Sequence, residues 1–441
     1  MNTTWRTAGL TTGALLCAVG LTACGATGPA TSSSPKQSAV PAALNKPVTI
    51  TYWERYCDEG ITDAVKRFNE ENRNKITVKH VCAGSDETAL AAKIQSAAAG
   101  GGLPDIATAS EQYAAQYNQA HLLQPLDPYL ASHWGVSAKE KSDFFPGAID
   151  RTKLKVYGNQ TMSWPFASTA NALYVNMDLL HKAGIKQPPT TWQEFQSDAQ
   201  TIKRATGKPG WVTAPGDGAD LLDAIWSSGT PWVDAAGTKA QLDAPTTVGV
   251  LRSWQSMFHN GSAVVSGNYK SSFTSGQAGM VFASTGYATT WSSDMKNADW
   301  QIAMFPHAQG QPPLTELFGS AHVVFHSTPQ RQLAAWLFAK YMASAQNQAL
   351  MCPGQGCIPA TQSSIANPAI NDAIKSAPQY GTAINDIAPH AHLLPQSTAL
   401  ASVRGEIAAD VFTKVTSGKL TPQQGAKELQ NKAQQAIDSA Q

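Results

Sequence analysis

The sequence predicts an α/β fold in two lobes or domains, and three observations carry that reading. Short β-branched runs alternate with helical patterns between Val48 and Ala107, the rhythm of βαβ units on a parallel sheet. The chain has 441 residues, and a single core stops growing at roughly 250–300, so more than one lobe follows. Hydrophobic residues make up 42% of the chain, with 12 Trp, which is ample for a packed interior and excludes global disorder.

Val48 to Trp53 is the first strand. Ile61, Ala64, Val65 and Phe68 then fall at helical spacing, Ile76 to Val81 is strand-like, and Glu87 to Ala99 is an Ala-rich helix ending at Gly100-Gly101-Gly102. Pro104-Asp105-Ile106-Ala107 opens the third strand. Open α/β sheets bind ligands at the carboxyl ends of their strands, so the loops Glu54 to Glu59, Ala83 to Glu87 and Ser110 to Tyr113 are expected along one edge. Met162 to Asn176 reads as an extended chain crossing into a second α/β region. There Thr191 and Glu194 form a capping box ahead of a helix, and helical patterns recur at 220–228, 247–260, 330–343 and 400–416. No internal repeat is visible.

Arg6 is followed by small and apolar residues up to Ala23, and then by Cys24-Gly25. This is a signal peptide, assigned to residues 1–23. The apolar run is shorter than the ~20 residues of a membrane span. The junction resembles the lipobox of bacterial lipoproteins, in which the cysteine is lipidated, here Cys24; an ordinary cleavage site and a membrane anchor are the alternatives. Residues 24–46, with Ser32-Ser33-Ser34 and almost no charge, read as a flexible tether.

A net charge of +1 with mixed signs offers no basic face for nucleic acid. With Cys17 removed in the signal and Cys24 lipidated, Cys57, Cys82, Cys352 and Cys357 remain. An even number in an exported protein points to disulfides. Of the three possible pairings, Cys57 with Cys82 and Cys352 with Cys357 are favoured: the first two follow consecutive strands and the second two close a tight loop. Zinc is the rival, but neither pair has the full ligand spacing, so no metal is expected.

The order of motifs resembles the family 1 extracellular solute-binding proteins of ABC importers, of the maltose-binding and glycerol-3-phosphate-binding kind. The resemblance runs from Thr51-Tyr52-Trp53-Glu54 through Gly102-Leu103-Pro104-Asp105-Ile106, Leu123 to Asp127 and Ser163-Trp164-Pro165-Phe166 to Pro188 to Phe195. It continues with Phe273 to Met280, Ser284-Thr285-Gly286 and Gly356-Cys357-Ile358-Pro359. It implies a type II periplasmic-binding-protein-like fold, each lobe a mostly parallel sheet flanked by helices, with a ligand cleft between. By position, the crossings lie near Ser168 to Ala172, Gly319 to His322 and Gly356 to Pro359. Lobe 1 is then 47–167 with 322–355, and lobe 2 is 168–321 with 356–441.

A sugar site needs aromatic platforms and planar hydrogen-bonding groups. Trp53, Trp226, Tyr287 and Trp291 are the candidate platforms, whereas Trp192, Trp254 and Trp336 sit on helical apolar faces and read as core. Glu54 and Glu111, at strand ends, are the candidate carboxylates. Ser168, Gly319 and Ser320 enter through the crossings. Ser284, Thr285 and Gly286 precede a helix start and offer hydroxyls and N–H groups that suit an anion. In the glycerol-3-phosphate branch the corresponding segment and a late basic residue hold the ligand, and Arg404 is the positional match for the latter. Two departures weaken a phosphodiester ligand: Cys357 replaces the Tyr of the family's Gly-Tyr-Leu-Pro motif, and Ser85-Asp86 lacks an aromatic.

No Gly-x-Ser-x-Gly, Walker A, His-Glu-x-x-His or Rossmann glycine pattern appears, and His390 and His392 read as loop residues. The expectation is a non-enzymatic, cofactor-free monomer held outside the cytoplasm by its lipid. It would capture a carbohydrate and deliver it to ABC permease subunits. A glycerol-3-phosphate or glycerophosphodiester binder is the alternative, and an exported glycan hydrolase or an adhesive or signalling lipoprotein ranks lower.

Overall fold

A computed structural model describes residues 39–440, apart from Tyr56 and Ser85. The signal peptide, the lipidation site Cys24 and the tether up to residue 38 lie outside the described residues. Residues 39–46, assigned to a flexible tether, are held against the body instead. Trp134 Nε1 donates to the Pro41 carbonyl at 2.9 Å, and Gln330 donates to Ala43 O at 3.0 Å and accepts from Asn45 N at 3.1 Å. Val40 and Leu44 are apolar and bury against the same surface, a local gain that Ser- and Pro-rich composition does not report.

The strands are β1 (Val48–Glu54), β2 (Ile76–Cys82), β3 (Ile106–Ala109), β4 (Trp164–Asn176), β5 (Trp211–Thr213), β6 (Ala263–Val265), β7 (Met280–Ser284), β8 (Trp300–Ala303), β9 (Thr315–Val324) and β10 (Ala391–His392). Their order is β2-β1-β3-β9-β4-β7-β5-β6, with β10 on β9 and β8 on β4. In β1, Val48, Ile50, Tyr52 and Glu54 are buried, as the period-2 pattern requires. β1 pairs in parallel with β2 and β3, and β5 with β6 and β7. The loops after β1, β2 and β3 therefore share an edge, as expected.

The helix Glu59–Glu71 buries Ile61, Ala64, Val65 and Phe68. Asp58 caps it by accepting from Ile61 N, and Asp86 caps the helix Glu87–Gly100 by accepting from Ala89 N. Each cap satisfies an orphan N–H, worth about 1 kcal/mol. The Thr191–Glu194 capping box forms as predicted.

β4 and β9 are the long crossing strands, and both run antiparallel to their neighbours in the lobes they join. Ala167–Ala170 of β4 pairs with Ser320–Leu317 of β9, while Asn171–Val175 pairs with β7. Ser168 lies opposite Gly319 and also bridges Ile358, so the three crossings meet at one point. Gly319 is required there: its φ is +136°, and a Cβ would sit 2.2 Å from Ala167 O. On either side the interior divides, one cluster around Tyr52, Trp164, Trp336 and Phe338, the other around Phe195, Trp211, Trp254 and Phe282. Among the described residues, no helix is long and apolar enough to cross a membrane.

Candidate functional site

A cavity of about 400 Å³ opens where the crossings meet. Arg55 after β1, Glu87 after β2 and Ser110, Glu111 and Gln112 after β3 line one side. Ser284, Gly286 and Tyr287 after β7, with Gln396, Leu400 and Arg404, line the other. Thr169, the β9 run Glu316–Gly319 and Gln355 form the floor. A larger cavity of about 890 Å³, lined by Leu44, Pro47, Ile76, Trp134, Trp164 and Tyr341, lies at the amino ends of β1 and β2. Strand polarity, rather than size, selects the smaller one: it sits at carboxyl ends and helix starts.

Its charges are paired. Arg151, 1% exposed, is bound to Glu111 and donates to Ser168 Oγ at 2.6 Å. Arg404 donates from both guanidinium nitrogens to Glu316, at 2.5 and 2.6 Å. Burial opposes the Arg404 charge, but Glu316 and Asp223 outweigh it and raise its pKa. Behind this pair, Asn171 Nδ2 donates to Asp220 and Asp223 at 2.9 and 2.8 Å. Burial raises both carboxyls, with Asp217 adding to the rise of Asp220 and Glu316 to that of Asp223. Glu87 accepts from Ser110 N at 2.5 Å, yet burial still raises its carboxyl.

Tyr287 supplies the aromatic surface. Its ring stacks on Trp291, with centroids 5.0 Å apart, Lys270 Nζ lies 4.4 Å over it, and the ammonium also donates to the phenolic oxygen. Such contacts hold the ring in one orientation and contribute about 0.5–1.5 kcal/mol each.

Of the residues singled out from sequence, Glu111, Ser284, Gly286, Tyr287, Gly319 and Arg404 line the cavity. Ser168 and Ser320 lie buried in the crossings and Thr285 in the turn after β7; Ser168 serves Arg151, and Thr285 Oγ accepts from Ala170 N at 3.0 Å. Those three do not line the cavity, nor do Trp53, Glu54, Trp226 and Trp291. Trp291 is 4% exposed and wedged against Tyr174 and Phe273, because its helix turns that face to the core. Trp226 packs on the second interior cluster, and Trp53 packs under Lys93. Glu54 is fully buried, where His80 Nε2 at 2.6 Å and Cys57 N at 2.9 Å face its carboxylate: the inward phase of β1 carries it under the sheet edge. Both favoured disulfides are present, Cys57–Cys82 and Cys352–Cys357.

Sequence reasoning missed Arg151, Lys270, Glu316, Asp223 and Gln355. None has a local signature. Glu316 sits in a strand and Gln355 at a helix end, and only their distant partners give them meaning.

A family model described as bacterial extracellular solute-binding protein matches residues 55–349. A protein of Brucella abortus, described as a binding protein, is 23% identical over 267 residues, covering 58% of this chain and 62% of its own length. The chain thus spans less than two thirds of that relative. Among solved structures, the GacH receptor of Streptomyces glaucescens, known unliganded and with acarbose, is 21% identical with a TM-score of 0.75, covering 90% of this chain and 100% of that one. UgpB from Mycobacterium tuberculosis, in complex with glycerophosphocholine, is 18% identical with a TM-score of 0.79, covering 89% and 99%. The likeness to both is one of fold, that of two-lobe binding proteins.

Proposed function

Because the chain belongs to the bacterial extracellular solute-binding protein family, we propose that it is the substrate-binding component of an ABC importer, taking a carbohydrate into the interlobe cavity and passing it to permease subunits. It performs no chemistry; it binds, closes and releases. A ligand favours the closed form only through contacts that are better when closed. Side chains from both lobes converge on this cavity, which supports that reading.

One observation carries the substrate class: the cationic group matched to a phosphate, Arg404, is already held by both oxygens of Glu316. A phosphate would have to displace that carboxylate and sit beside it. The turn before Tyr287 adds to this, since Thr285 N donates to Ala170 O at 2.8 Å and Gly286 N to Ser284 Oγ at 3.1 Å, leaving neither for an anion. The remaining groups are amides, hydroxyls, paired charges and an aromatic face, which suit a neutral polyhydroxyl solute. Glu111, Ser284, Tyr287 and Gln396 are the proposed ligand contacts, and Gly286 and Gly319 provide close backbone approach.

The proposal includes removal of residues 1–23 and lipidation of Cys24, which would keep the protein outside the cytoplasm on the membrane. The test of function is a thermal-shift screen of residues 39–441, which keeps the docked segment 39–46. The panel is maltose, maltotriose, other neutral sugars, glycerol-3-phosphate and glycerophosphocholine. Native-state binding raises Tm by mass action; a sugar response is the expected result, and a response to the phosphates alone would overturn the carbohydrate reading.

A further inference from the structure

Gln355 is the last residue of the helix Ala345–Gln355, at the point where the first lobe's chain turns into the final crossing. Three constraints fix its backbone. Gly356 follows at φ +60°, the disulfide Cys352–Cys357 closes the turn, and a Cβ on Gly356 would lie 2.4 Å from Gly286 O of the opposite lobe. The side chain lines the interlobe cavity. Both amide atoms, Nε2 and Oε1, are shielded from water and have no hydrogen-bond partner. Asp58 lies beside it: its carboxyl is raised by burial and lowered slightly by the Gln355 amide, a contact too poorly aligned to satisfy Asp58 Oδ2.

A shielded amide that makes no hydrogen bond is unfavourable, and natural structures keep few of them. This one has three side-chain torsions, and turning toward the cavity would give up only its weak interaction with Asp58. It needs a partner that accepts from its NH₂ and donates to its oxygen. Adjacent hydroxyls of a sugar do both. A phosphate or carboxylate only accepts, so it would leave Oε1 unmet and would bring a negative charge close to Asp58 and Glu111.

We infer that Gln355 is a specificity-determining residue of the cleft, an amide that pairs with adjacent hydroxyls of a neutral polyol. The inference rests on the carbohydrate reading and names the group that enforces it. Since the hydrogen bonds are made only with solute bound, the amide contributes to affinity and not to the stability of the empty protein.

The test compares the full chain with Gln355→Leu and Gln355→Glu, using the neutral sugar that shifts the wild type most, by calorimetric titration and by melting without ligand. The expected result is a loss of affinity of about tenfold or more in the Leu variant, the typical effect of an unmet hydrogen bond, with Tm of the empty protein unchanged or raised. The Glu variant, which keeps an acceptor and loses the donor, should lose affinity as well. Wild-type sugar affinity in the Leu variant would overturn the role of Gln355 and leave the carbohydrate reading standing. A fall in Tm of the empty Leu variant would show the amide to be a structural partner, and would overturn it too. Wild-type protein that binds glycerophosphocholine and no sugar would overturn the carbohydrate reading itself.

Discussion

Arg404 and Glu316 face each other at the cavity as a two-point pair, Nη1 to Oε1 at 2.5 Å and Nη2 to Oε2 at 2.6 Å, with Glu316 on the crossing strand β9 and Arg404 on the helical segment Val403–Ile407. This pairing turns the one guanidinium expected to greet an anion into a neutral unit. Glu316→Gln should therefore release Arg404. Affinity for glycerol-3-phosphate is expected to rise at least tenfold by calorimetry, while stability drops by about 3 kcal/mol, since removing one partner of a buried pair leaves the other uncompensated. Unchanged phosphate affinity would show that Arg404 is not turned toward solute.

Trp291 packs beneath Tyr287 and does not line the cavity. Its ring is 4% exposed. Trp291→Ala is expected to cost about 3–5 kcal/mol in urea unfolding, the range for emptying a large aromatic site. Trp291→Phe should retain most of the stability and weaken sugar binding only modestly. An Ala variant as stable as wild type would contradict the burial.

The disulfides differ in the loops they close. Cys57–Cys82 joins residues 25 apart and Cys352–Cys357 residues 5 apart. On loop-closure entropy, replacing the first pair by Ser should cost about 3–4 kcal/mol and the second about 2 kcal/mol. The smaller loss should carry the larger binding effect, because the second loop holds Gln355 and Gly356 at the lobe junction. Melting curves and titrations on the two double variants separate the effects.

His322 makes stability depend on acid. It is fully buried among Phe166, Tyr52 and Phe338, and burial pulls its pKa down to about 3. The unfolded chain takes up a proton near pH 6.5 that the native imidazole refuses. Stability therefore falls as pH drops from about 6.5 toward 3, by up to about 1.4 kcal/mol per unit. Asp220 and Asp223, whose carboxyls burial raises, contribute in the opposite sense. The difference between wild type and His322→Phe isolates the histidine: the variant should lose this acid slope, and identical slopes would contradict a neutral buried imidazole.

Local pattern carried much of the architecture. Period-2 and period-3.6 spacing gave β1, β2, β3 and the helices between them to within a residue or two, and the capping box at Thr191 was readable from two side chains. Glu111 and Tyr287, picked out because strand ends and Gly-containing turns mark ligand edges, line the cavity. Trp291 and Glu54 were placed at the cavity for the same reason and proved buried, because a strand end or a turn does not say which way the next side chain points.

The sequence by itself determined the alternation of elements, the need for more than one lobe and the family, and favoured the cysteine pairs that the structure holds. Each of these depends on neighbours in the chain, on length, or on the order of motifs. Only the tertiary structure decided which charges pair in the cleft. Arg151 meets Glu111 across 40 residues, and Arg404 meets Glu316 across 88. Coulomb energy between such groups depends on separation and burial, and neither is set until the chain folds back and brings residues distant in sequence together.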